Sequence, residues 1–320
     1  MRILITGVAG FVGRHLFNRL CTQYPAAIIH GTAIEQPPQM GNDRLHYHVI
    51  DLKNYDAIYN LIAEVQPDQI YHLAAQSSPR KSFLIPWETL ENNIKAQLNI
   101  IQACIDLALQ PRILVISSAE IYGPVQPDQL PIHEDSPLRP TNPYGVSKVA
   151  QDMLGLQYYL SHKLPIIRVR PFNHFGPGQS EGFVASDFAA QIARIEMGLQ
   201  KNVIEVGNLS AERDFTDVRD VVQAYTMIME KGIAGEVYNV ASGKPYSIQY
   251  LLDNLLKCSE TAIQVQIDSA RMMPIDVPIV RGDATRLQTL CGWQPIIPFE
   301  TTLVDVLNDW RNRIRLSTQH

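Results

Sequence analysis

Two side chains near the middle of this sequence have the types and spacing for proton transfer. Tyr144 and Lys148 are four residues apart, so on a helix they share one face. A phenol titrates near 10, too high for efficient proton exchange at neutral pH. A neighbouring ammonium favours the phenolate and draws that value down. Such a phenol can give or take the proton of a carbonyl/alcohol oxygen while a hydride moves to or from a redox cofactor. Alone, a Tyr-x-x-x-Lys pair is as readily a solvated pair on a helix surface, so its context decides.

A second constellation supplies that context. The chain opens "MRILITGVAGFVGRHL", an apolar run followed by Gly7, Gly10 and Gly13. A glycine turn between a strand and a helix lets the backbone approach a pyrophosphate. The helix N-terminus then offers unpaired N–H groups and the positive end of its dipole. The last glycine of such a turn allows close packing of helix on strand.

These residues need a scaffold, and the pattern provides one. Short β-rich runs occur at "RILIT", "AIIHGTA", "LHYHVID", "QIYHLAA", "RILVISS" and "PIIRVRPF", with helical patterns at 11–22, 54–65, 88–108 and 144–162 between them. Strand and helix alternating with short connections predict a parallel sheet covered on both faces. The segment 124–143 carries six prolines and reads as a long loop. Beyond residue 172 the rhythm breaks up. Helices are expected at 183–198, 217–231, 247–257 and 299–315, with short strands at 203–206 and 236–240.

Together these marks resemble the extended short-chain dehydrogenase/reductase family, also called the NAD-dependent epimerase/dehydratase family. Its glycine motif has the same G-x-x-G-x-x-G spacing, here with Phe11 and Val12 inside it. Asp51 and Leu52 resemble the pair that contacts adenine. "HLAAQ" (72–76) resembles the loop after the fourth strand, which lines the cofactor through Leu73, Ala74 and Ala75. Asn93 stands where the family carries a structural Asn and is counted with the cofactor site. The resemblance implies a Rossmann-type doubly wound parallel sheet, formed by 1–170 with about 210–242. A smaller mixed α/β substrate domain would take about 171–209 and 243–320. It implies that Ser118 and Tyr144 meet the substrate oxygen, that Lys148 also binds the nicotinamide ribose, and that Glu120 belongs to the catalytic group. It further implies a homodimer through a four-helix bundle of the helices at about 88–108 and 144–162. Both carry more apolar surface than one sheet contact requires.

The second half narrows the substrate. "RPFNHFGPGQ" (170–179) resembles the segment of family members acting on GDP-mannose derivatives, with Asn173 contacting the sugar nucleotide; His174 is equally readable as a core residue. Arg213 resembles the arginine at the diphosphate, or it pairs with Asp214 or Asp217. Asp214, Asp217 and Arg219 themselves read as a structural ion cluster. Arg271 stands near a further phosphate position, while Met273 occupies a place where an arginine is expected. The implied reaction is reduction of the 4-keto group of GDP-4-keto-6-deoxy-D-mannose to GDP-D-rhamnose or its carbon-4 epimer, by NADH or NADPH. The alternatives are a nucleotide-sugar 4-epimerase with tightly held NAD, a GDP-mannose 4,6-dehydratase and a non-catalytic dinucleotide-binding protein. Dehydratases carry an acid or hydroxyl just before the strand-five glutamate, where this chain has Ala119. They also carry paired arginines after the second strand, where this chain has none until Arg44. Glu35 fits there as a partner of the adenosine ribose hydroxyls, which favours NADH.

Composition excludes other classes. A net charge of −5 and no Lys/Arg run leave no footprint for nucleic acid. No apolar stretch is long enough for a membrane span, and the glycines interrupt any leader-like run. Cys21, Cys104, Cys258 and Cys291 are far apart and form no CxxC pair, so neither a metal site nor a disulfide framework is expected. The expectation is a soluble cytoplasmic protein.

Overall fold

The computed structural model describes residues 1–35, 44–272 and 277–318. The chain begins β1 (Arg2–Thr6), α1 (Phe11–Gln23), β2 (Ile28–Ala33), β3 (Leu45–Val49), α2 (Tyr55–Val65) and β4 (Gln69–His72). It continues α3 (Pro79–Leu84), α4 (Pro86–Asp106), β5 (Arg112–Ile116), α5 (Pro143–His162) and β6 (Ile166–Pro171). Then follow β7 (Asn173–Phe175), α6 (Val184–Glu196), β8 (Val203–Val206), β9 (Glu212–Asp217), α7 (Val218–Lys231) and β10 (Val237–Val240). The last elements are β11 (Pro245–Ser247), α8 (Ile248–Lys257), β12 (Gln264–Ile267), α9 (Thr285–Cys291) and α10 (Phe299–Ser317).

Seven strands form one sheet in the order β10-β6-β5-β4-β1-β2-β3. Every pairing in it is parallel. The apolar runs are continuous because both faces are buried. Ile3 and Ile5 face one core with α1 and α7, while Leu4 between them faces the other core with α2 and α4. The chain leaves β1 toward β2 in one direction and returns to β4 on the other side of β1. The crevice beyond the carboxyl ends of β1 and β4 is therefore the topological switch point, where open α/β sheets bind ligands.

Helix α5 is fixed to β6 by charge. Asp152 is fully buried and accepts from Arg168 Nη1 at 2.8 Å, Arg170 Nε at 2.9 Å and Arg170 Nη2 at 3.0 Å. The two arginines alternate with Ile167 and Val169, which face the opposite core. The proline-rich loop is a packed arm: Ile132 bridges Gly282, and Glu134 accepts the Asn239 N–H at 2.8 Å.

The second lobe has its own core, built from α6, α8 and α10 with Phe175, Phe215 and Phe299. Its strands were the least readable. β9 reads "ERDFTD", with no apolar alternation, because its inward positions Asp214 and Thr216 are polar. β12 reads "QVQI" and is exposed throughout. α3, β7, β11 and α9 also went unpredicted, each being seven residues or shorter. Asp214, expected in an ion cluster with Asp217 and Arg219, holds backbone instead. It accepts from Ser242 N, Ser242 Oγ, Gly243 N and Gly282 N. Asp217 and Arg219 do pair, and Arg219 also reaches Asp305 at 2.7 Å.

Candidate active site

The glycine turn is built as its spacing requires, with a different reason at each position. Gly7 has φ of 71°, and a Cβ there would meet Ala74 Cα and N at 3.0 Å. Gly13 has no room either: a Cβ would run into Gly7 O and come within 2.8 Å of Val8 Cα. At Gly10 an added Cβ meets only Gly7 O, at 3.2 Å, and otherwise faces the cleft. No side chain caps α1 and its first turn carries no acid. The turn thus presents uncapped N–H groups and an open cradle, which fits a pyrophosphate.

A cleft of about 700 Å³ runs from this turn to Tyr144. Gly7, Gly10, Phe11, Val12 and Gly13 form one end, and Leu73, Ala74 and Ala75 continue the wall from the end of β4. Ser118, Glu120, Tyr144 and Lys148 line the centre. Asn173, Arg213 and Arg271 enter from the second lobe.

Tyr144 sits at the start of α5, after Asn142 caps that helix by accepting Gly145 N–H at 2.7 Å. The same Asn142 donates Nδ2 to Glu120 Oε2 at 2.9 Å, tying the turn after β5 to the catalytic helix. Glu120 therefore lines the cleft with its carboxylate already engaged. Ser118 closes β5, its Oγ accepting Glu120 N–H at 3.2 Å, and it hydrogen-bonds the Tyr144 phenol. Ser117 turns away and donates to Lys148 O at 3.2 Å.

The electrostatics depart from the simple phenol–ammonium picture. Lys148 Nζ donates to Ile116 O and to Gln151 Oε1, each at 2.8 Å, and stands 5.8 Å from the Tyr144 ring centre. Burial pulls the Lys148 ammonium down to about 7. Burial also pushes the Tyr144 phenol up, against the hydrogen bond from Ser118 and together with the charge of Glu120. The expected lowering by Lys148 is not seen: burial dominates, and the groups acting on the phenol are Ser118 and Glu120. The phenol is held protonated, the state needed to donate to a newly formed alkoxide. Behind Lys148 the row continues: Gln151 Nε2 lies 3.4 Å from His72 Nε2, and His72 Nδ1 lies 2.9 Å from Thr6 Oγ1. Burial and the Lys148 charge draw His72 down to about 3, so it is neutral.

Four expected cofactor residues are not in the cleft lining. Asn93 is fully buried and clamps instead, accepting Gln76 N–H at 2.7 Å and donating to Gln76 O and Ser147 Oγ. It positions the loop after β4 against α5. Leu52 is buried in the core, its carbonyl accepting from Asn99 Nδ2 at 2.9 Å. Asp51 and Glu35 are exposed; Asp51 accepts Lys53 N–H at 2.9 Å, and Glu35 O accepts the Tyr47 hydroxyl at 2.7 Å. Met273 lies outside the described residues. His174 is a cleft residue: its ring lies near-parallel to Phe11 at 6.3 Å and its Nδ1 lies 2.9 Å from Phe172 O. Arg213 donates to Glu212 O and Val277 O, and Arg271 pairs with Glu205 at 3.3 Å.

Sequence reasoning missed Arg80, Gln179, Asp187 and Tyr225, which also line the cleft. Arg80 had a signal, since Ser78-Pro79 is a helix-start pair, and Ser78 does cap α3. Tyr225 had none beyond its helical periodicity.

Residues 4–306 match the family described as GDP-mannose 4,6 dehydratase. The chain belongs to this family, within the extended short-chain dehydrogenases/reductases. A family member from Pseudomonas aeruginosa, GDP-6-deoxy-D-mannose reductase, is 38% identical over 314 residues, covering 98% of each chain. A solved structure of RMD from Pseudomonas aeruginosa complexed with NADPH superposes with a TM-score of 0.86 at 37% identity, covering 98% of this chain and 99% of that one. Human GDP-mannose 4,6 dehydratase is 25% identical over 342 residues, covering 95% of this chain and 90% of its own. Family membership makes this an NAD(P)-dependent nucleotide-sugar enzyme, and the cradle at Gly10 fits the cofactor.

Proposed function

We propose that the chain reduces the 4-keto group of GDP-4-keto-6-deoxy-D-mannose, forming GDP-D-rhamnose with NADH or NADPH. The observation that carries this reading is the pair Ala119 and Glu120. Elimination needs an acid and a base at the sugar. Here position 119 offers only a methyl group to the cleft, and the Glu120 carboxylate is engaged by Asn142. Reduction needs only a hydride and one proton for the carbon-4 oxygen, which Tyr144 can supply without residue 119 or Glu120. When bound, the nicotinamide supplies the hydride. Tyr144 donates its proton to the alkoxide forming at carbon 4, Ser118 holds that oxygen, and Lys148 keeps one donor for the ribose. The test is incubation with the keto-sugar and either reduced cofactor, followed by NMR of the product. GDP-D-rhamnose is expected. Water loss from GDP-mannose, or epimerisation by an enzyme that retains stoichiometric NAD, would overturn the assignment.

The finer features follow. NADH is the preferred donor in this reading, because no arginine lies between Ala33 and Arg44, and Arg44 donates to Cys21 O and Tyr24 O at the far end of α1. Residues 1–170 and 210–242 serve the cofactor, since β10 completes the sheet beside β6. Residues 171–209 and 243–320 serve the sugar nucleotide. No helix among the described residues is long and apolar enough to cross a membrane. With all four cysteines unpaired, the reading includes work in the reducing cytoplasm.

Arg213 is assigned to the diphosphate. Arg213→Ala is expected to weaken sugar-nucleotide binding by about 1.5–3 kcal/mol, roughly 10- to 150-fold in KM where KM follows affinity. Cofactor affinity should not change. A lower melting temperature with unchanged KM would mean that Arg213 only ties Val277 to β9.

A homodimer completes the reading. Val146, Met153 and Leu160 recur every seven residues on α5 and are 45%, 38% and 58% exposed. That stripe suits helix–helix burial against a second copy. Light scattering at micromolar concentration should give a dimer, and Met153→Asp a monomer. A monomeric wild type contradicts the assignment.

A further inference from the structure

Tyr225 is completely buried on α7, yet its phenol oxygen has no hydrogen-bond partner among the described residues. An orphaned buried hydroxyl is rare, because it forfeits its hydrogen bonds to water and gains nothing in return. This one lines the catalytic cleft. Its place there is well defined. Tyr225 belongs to the core against which Phe11 and Val12 of the glycine turn pack, and the Tyr144 phenol acts on it electrostatically. It therefore belongs to the core that supports the glycine turn and lies within electrostatic reach of the proton donor. The sugar-nucleotide side of the cleft is contributed by Asn173, Arg213 and Arg271 from other elements.

We propose that the Tyr225 hydroxyl is the partner of the nicotinamide carboxamide and sets the ring against Tyr144. This rests on the nicotinamide reading of the cleft. A carboxamide offers both a donor and an acceptor, so either orientation of the phenol O–H finds a match. Tyr225 is thus a positioning residue for hydride transfer, and its unpaired oxygen is completed by the cofactor.

The test is Tyr225→Phe, read by equilibrium binding and melting. Three ligands are titrated against wild type and variant: NADH, NADPH and ADP-ribose, which has the adenosine and both phosphates but no nicotinamide. The variant without ligand is expected to melt no lower than wild type, since the lost hydroxyl bonds nothing there. Its affinity for the reduced cofactor should fall about 3- to 10-fold, the scale of one hydrogen bond, while ADP-ribose binds equally to both proteins. Equal loss for ADP-ribose would mean a general distortion and overturns the proposal. So does an unchanged affinity for reduced cofactor, including the case where only the sugar-nucleotide KM rises. A wild type that binds none of the three ligands overturns the nicotinamide reading itself, and this proposal with it.

Discussion

Tyr144→Phe is expected to lower turnover by about 100-fold or more, the scale of lost general acid catalysis. The reason is specific to this site. Burial holds the phenol protonated, and Ser118 is its hydrogen-bond partner. The alkoxide formed by hydride addition is a strong base and takes its proton from the Tyr144 hydroxyl. Phe keeps the ring in place and removes the only atom that acts. Ser118 cannot substitute, because a hydroxyl of still higher pKa is a weaker acid. Reduced-cofactor affinity should stay near the wild-type value, since the glycine turn and Lys148 are untouched. Steady-state kinetics and a binding titration on the same preparation check both halves. A variant with most of the wild-type rate would remove Tyr144 from the role of proton donor.

Gly10→Val is expected to abolish dinucleotide binding in a protein that still folds. An added Cβ there meets only Gly7 O at 3.2 Å, and the rest of the side chain extends into the cradle. The pyrophosphate and a valine cannot share that space. Gly13→Val is the contrasting case. Its Cβ would strike Gly7 O and Val8 Cα, so the junction of β1 and α1 itself must distort. Circular dichroism and a cofactor titration separate them: Gly10→Val should be folded and unable to bind, Gly13→Val poorly folded. Normal NADH and NADPH binding by folded Gly10→Val would refute the phosphate-cradle reading.

The parts that the sequence made legible are local. Gly7, Gly10 and Gly13 carry their own structural reason, and Tyr144 and Lys148 share a helix face by spacing alone. Alternation of strand and helix revealed the parallel sheet because burial on both faces leaves uninterrupted apolar runs. Other marks have an order that is readable but a direction that is not. Asn93 occupies its expected place on α4, yet its amide is spent on Gln76 and Ser147. Asp51 is at the expected strand end, yet outside the cleft. β9 hid because its inward side chains are a carboxylate and a hydroxyl, and Asp214 is tolerable there only because distant backbone N–H groups reach it. The lowering of the Tyr144 phenol by Lys148 failed as an expectation because spacing says nothing about desolvation. Tyr225 was invisible because a missing partner is a property of the packed molecule.

If two copies pair through α5 as proposed, the carboxylate of Asp152 bears on communication between them. It lies one helical turn beyond Lys148 and serves two guanidinium groups from β6 at once. Sliding or rotating α5 would strand buried charges, at a cost of about 3–5 kcal/mol. A ligand's differential binding energy would have to exceed that before the helix could act as a lever. The outward stripe of Val146, Met153 and Leu160 is on the same helix, so a neighbouring copy can grip it without moving Tyr144 or Lys148. The two sites of a dimer should then work as independent catalysts, with hyperbolic saturation and a Hill coefficient of about one. Sigmoidal kinetics in the dimer would show that α5 does move.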